Sequence, residues 1–161
     1  MNVEWETELA ELLSNLSSAQ DEMLELFGKK RDLLVASDAE GLERIGLQEK
    51  QLIDKLQACQ DHRTLLLERA TEEGLPSGSI SELTTALPEP GRKMLATQVS
   101  DAKARSRLLH HQSLTNWVLV QRTLIHLSQM LEIIATGGRL QPTYEKGNSP
   151  ETSGALMDHA A

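Results

Sequence analysis

Cys59 and His62 stand three residues apart, and His110 and His111 are adjacent further along the chain. A thiolate and imidazoles presented by two helices form a donor set that zinc accepts, provided both helices hold it in a matching register. Cys59 also falls at a core position of an apolar seam, where a free cysteine acts as a small hydrophobe, so no metal is expected. Closely spaced carboxylates (Glu4, Glu6, Glu8, Glu11) offer acid–base chemistry on paper, but they lie opposite the apolar stripe of their helix and read as a solvated face. The chain has no phosphate-cradling glycine loop, no nucleophile elbow and no helical Glu-x-x-His pair. No catalytic residue, cofactor or enzymatic activity is expected.

The elements that carry these residues are helical. Of 161 residues, 39% are hydrophobic but only 2% aromatic, a poor composition for a β-sandwich or barrel. Positions 5, 9, 12, 16, 19, 23, 26, 30 and 33 step by four and three, and only Lys30 is not apolar. Leu13, Phe27 and Leu34 widen the stripe to the breadth a bundle needs, over a first helix of about 3–36. Ser37 and Glu40 fit a capping box that restarts the chain as a second helix, about 38–73. Its seam at 42, 45, 49, 52, 56, 59, 63, 66 and 70 is broken only by Glu49 and Arg63, with Ile53 and Leu67 broadening it. Gly74 suits a left-handed helix stop and Pro76 blocks continuation. Ser79 and Glu82 form a second capping box, placing a short helix at about 79–87. Pro90 opens the last and longest helix, about 90–136, which ends at Gly137 and Gly138.

The expected fold is therefore all-α, an elongated antiparallel coiled-coil bundle of three long helices with one short connecting helix. It occupies 1–138 and leaves 139–161, rich in Gly, Pro, Asn, Ser and Thr, as a flexible tail. No apolar run approaches the ~18–20 residues that span a bilayer, and there is no apolar leader or cysteine pair, which points to a cytoplasmic protein.

Sixteen Lys and Arg against 24 Asp and Glu leave a net charge of −8, which repels phosphate backbones and anionic membranes. Only the last helix is positive, at +4, with Arg92, Lys93, Lys103, Arg105 and Arg107 crowded in its first half. An up-down-up bundle sets that half beside Glu4–Glu11 and beside Glu68, Glu72 and Glu73. Internal charge complementarity is thus preferred to a nucleic-acid surface, which would also need interleaved aromatics.

The second half of the last helix is unusually apolar: Leu114, Trp117, Val118, Val120, Leu124, Ile125, Leu127, Met130, Leu131, Ile133 and Ile134. At ~1.5 Å per residue the second helix reaches about 54 Å and the last about 70 Å, so roughly ten residues are expected to project past the hairpin. An apolar end left uncovered marks a partner site, a homodimer seam or a receptor for a helix.

Leu33-Leu34 before Asp38, then Ile45, Glu49-Lys50, Leu52-Ile53, Leu56 and Arg63, followed by Asn116-Trp117-Val118-Leu119 and Pro142-Thr143-Tyr144 with Gly147, form an order of parts that resembles the FlgN family of flagellar export chaperones over about residues 5–148. The resemblance implies a cytosolic chaperone for FlgK- and FlgL-type hook–filament junction proteins. Such a chaperone keeps their amphipathic terminal helices from assembling early and delivers them to an FlhA-type membrane export gate. It implies client binding at Leu114, Trp117, Val118, Leu124, Ile125, Leu127, Leu131 and Ile134, and gate docking through Tyr144. Two alternatives stand beside it: a self-associating structural coiled coil, whose apolar end forms a homodimer, and a type III secretion chaperone outside the flagellum.

Overall fold

The computed structural model describes residues 2–137, as four helices: α1 (Asn2–Val35), α2 (Ala39–Glu72), α3 (Ile80–Thr85) and α4 (Gly91–Thr136). The fold is an all-α bundle whose long helices pack on one another. The chain divides into two units inside α4, Met1–Thr123 and Leu124–Ala161. The proposed tail, 139–161, lies outside the described residues.

In the first unit the seam of α1 forms the spine of the core. Trp5, Leu9, Leu12 and Leu13 are buried with Leu66 and Ala70 of α2, Ile80 and Leu83 of α3, Leu87, and Leu95, Val99 and Ala102 of α4. A smaller cluster of Met23, Leu26 and Leu52 continues it, with Phe27, Ile45, Leu56 and Leu109 against it. Ile53 does not broaden the α2 face: it is exposed, whereas Leu67, two heptads on, packs against the core.

Buried polar side chains fix how α4 lies on α1. Gln20 Nε2 donates to the Ala102 carbonyl at 3.1 Å and to Ser106 Oγ at 2.9 Å, and Asn116 Nδ2 donates to the Phe27 carbonyl at 3.1 Å. A one-turn slip would leave these amides buried without partners, at a cost of about 1–3 kcal/mol each, so they select one register.

The turn between α1 and α2 departs from the capping-box expectation. Ser37 sits at φ 55°, with its N–H bonded to the Leu34 carbonyl and the Asp38 N–H to that of Leu33. This six-to-one and five-to-two pattern is a Schellman stop, so Ser37 ends α1 instead of starting α2. The N-cap is Asp38, whose carboxylate accepts from the Gly41 N–H at 2.8 Å. A side chain at Gly41 would collide with Leu33 and Asp38, so the missing Cβ lets the two helices turn this tightly. At the far end of α2 the same stop recurs with Gly74 at φ 71° and Leu75 N–H bonded to the Ala70 carbonyl. Ser79 caps α3 through the Glu82 N–H.

The charges pair differently from expectation. Glu8 and Glu73 are taken by Arg69 of α2, whose Nη1 meets both Glu8 oxygens at 2.8–2.9 Å and whose guanidinium lies 4.0 Å from the Trp5 ring centroid. The hydrogen bond to Glu8 holds the Arg69 pKa above its ordinary value. Among the described residues, the basic half of α4 forms one ion pair with α1, Arg105 to Asp21 at 2.8 Å; Arg92 pairs locally with Glu89, and Lys103 and Arg107 pair with neither helix.

Candidate functional site

α4 has 46 residues and no proline or internal glycine between Arg92 and Thr136, so nothing in the backbone interrupts it. Its first half is held by core side chains at Leu95, Val99 and Ala102, and the Asn116 amide holds it just past its middle. From Leu114 on, most of its apolar side chains are exposed, Leu119 and Val120 being half-buried. In the first unit Leu114, Trp117 and Val118 are 50%, 60% and 42% exposed. In the second unit Leu124, Ile125, Leu127, Leu131 and Ile134 are 50–74% exposed, and Met130 and Ile133 are 46% and 51% exposed. Scattered exposed apolar residues need no explanation, whereas a dense run of this kind is a candidate interaction surface.

The spacing gives the second unit's surface a definite form. Leu124, Leu127, Leu131 and Ile134 step by three, four and three and line one helical face, with Ile125 one position round. From Leu124 to Thr136 the only ionised carboxylate or cation is Glu132, with His126 the one other titratable side chain. Such a face can pack against apolar surface with helical spacing and makes few polar demands on it.

The other sequence candidates are not brought together. Cys59 and His62 are half-buried, His110 and His111 are exposed, and among the described residues no three His, Cys, Asp or Glu side chains cluster as a metal site. Burial pushes the Cys59 thiol pKa up, which keeps it protonated and a poor nucleophile or ligand. Among the described residues no helix is long and apolar enough to cross a membrane. Tyr144 lies outside the described residues.

A family model described as FlgN protein matches residues 1–152. The chain belongs to the FlgN family. No curated protein and no solved structure matches it. FlgN proteins are flagellar export chaperones that bind other flagellar proteins, and membership supports that general role for this chain.

Periodicity alone missed a second feature of the first unit, a groove between α2 and α4 with Arg63 on its wall. Its one legible sign was Arg63 itself, a cation in an otherwise apolar seam.

Proposed function

We propose that this FlgN-family protein is a chaperone for hook–filament junction proteins of the FlgK and FlgL type, and that its client surface is the apolar stretch of α4 from Leu114 to Ile134. The observation that supports this reading is the exposure of all eight side chains, Leu114, Trp117, Val118, Leu124, Ile125, Leu127, Leu131 and Ile134, on a helix that is otherwise anchored. An amphipathic terminal helix of the client lays its own apolar face against them and is thereby kept from assembling early. Each Leu- or Ile-sized side chain removed from water contributes about 1.5–3 kcal/mol before association and ordering costs. Four or five anchors give binding that holds in transit and still releases. The hydrophobic effect is non-directional, so one surface serves related clients.

Delivery to an FlhA-type export gate follows, with Tyr144 as the docking residue. Titration of the full-length protein with terminal-helix peptides of both clients, followed by native mass spectrometry, tests the reading. A one-to-one complex is expected. A chain that stays a homodimer and binds neither peptide would instead establish the self-associating coiled coil.

A further inference from the structure

The first unit contains an open groove of about 450 Å³ that takes no part in the client surface proposed above. α1 forms its floor through Leu12, Leu13 and Leu16. α2 contributes Leu56 and Cys59 to one wall, and α4 contributes Val99 and Ala102 to the other. Ser79, Ile80 and Ser81 at the start of α3 also line it, so four helices bound an apolar trough that is open to solvent. From Leu56 to Arg63 and from Val99 to Arg107 the walls run about 10–12 Å, room for two turns of a helix.

The rim has one sign of charge. Arg63 of α2 and Lys103 and Arg107 of α4 line the groove, and no carboxylate does. None of the three forms a salt bridge among the described residues, although the protein carries 24 acidic residues. Like charges gathered without partners repel, so the arrangement is unfavourable for the chain alone and favourable toward an anionic visitor. Arg63 strengthens the point: at a seam position an apolar residue would close the trough, and a cation keeps its edge polar.

We propose that this groove receives an acidic amphipathic helix from a partner protein, whose leucine-type residues enter the trough and whose Asp and Glu side chains meet Arg63, Lys103 and Arg107. Three cations facing flanking carboxylates set the direction and register of the incoming helix, and its apolar stripe covers the open trough.

The test uses full-length protein and two synthetic helical peptides of about 18 residues, both with leucines at i, i+3, i+4 and i+7, one bearing Glu and the other Lys at the flanking positions. Fluorescence anisotropy at low salt is expected to show the Glu peptide binding at least about tenfold more tightly than the Lys peptide. The triple variant Arg63→Glu, Lys103→Glu, Arg107→Glu, and separately the milder Arg63→Gln, Lys103→Gln, Arg107→Gln, should abolish that preference while circular dichroism stays helical. Leu124→Asp with Leu131→Asp should leave it intact, which separates this groove from the client surface. Equal binding of the two peptides, or a preference that survives both triple variants, overturns the proposal. Oleate binding that depends on the three cations, without Glu-peptide binding, would assign the groove to an anionic lipid and overturn it as well. So would a protein dimer that the cation substitutions dissociate, since the occupant would then be a second copy.

Discussion

Lys30 and Glu49, the charged interruptions in the apolar seams of α1 and α2, are partners: the Lys30 ammonium lies 2.8 and 2.9 Å from the two Glu49 oxygens. Both side chains are about three-quarters buried, so each would be a buried lone charge without the other. The pair admits one alignment of the α1–α2 hairpin, because sliding either helix by a turn sets a charge against leucines. Lys30→Met alone or Glu49→Met alone should destabilise the protein by about 1–3 kcal/mol, and the double variant by less than the sum. Chemical denaturation of the four proteins measures the coupling; strict additivity would show that the pair sets no register.

Asp38, not Ser37, carries the cap of α2. Asp38→Ala should cost about 0.5–2 kcal/mol, the ordinary loss for an N-cap. Ser37→Gly should stabilise by about 1 kcal/mol, since glycine relieves the left-handed backbone at φ 55°. Thermal melts distinguish the two sites, and destabilisation by Ser37→Gly would restore the capping-box reading.

Leu83 is fully buried and ties a six-residue helix, too short to persist by itself, to the main core. Leu83→Ala should lower stability by about 2–5 kcal/mol. Hydrogen exchange should show the 74–90 connection losing protection; a change confined to α1 would contradict the anchoring role.

Leu124→Asp with Leu131→Asp places two carboxylates on the exposed face of α4. Neither position is in the core, so helicity and melting temperature should hardly change, while co-purification of FlgK- or FlgL-type clients should be lost. Undiminished client capture would exclude this face.

Tyr144→Ala should separate docking from client binding. Client affinity should stay within about twofold, and association with the cytosolic domain of an FlhA-type gate should weaken by about tenfold or more in surface plasmon resonance. An unaltered gate interaction would remove Tyr144 from the docking role.

The four- and three-residue steps from Trp5 onward were enough to specify helices, because burying an apolar stripe at helical period is a local property that each segment carries in its own sequence. The Gly74 stop and the Ser79 cap were legible for the same reason, their hydrogen bonds closing within a few residues. Ser37 and Asp38 show where local reading runs out: both are good capping residues, and the choice between them follows from the Schellman stop of α1 and the close approach at Gly41. Lys30, Glu49 and Arg63 looked alike as charged breaks in apolar seams. Only packing distinguished them, giving Lys30 and Glu49 each other and leaving Arg63 on a groove with Lys103 and Arg107. The composition of α4 announced an apolar end, but the exposure of each of its side chains is a property of the folded chain. Sequence sets the period of each stripe, whereas cross-helix register and the side left open depend on distances between segments far apart in the chain.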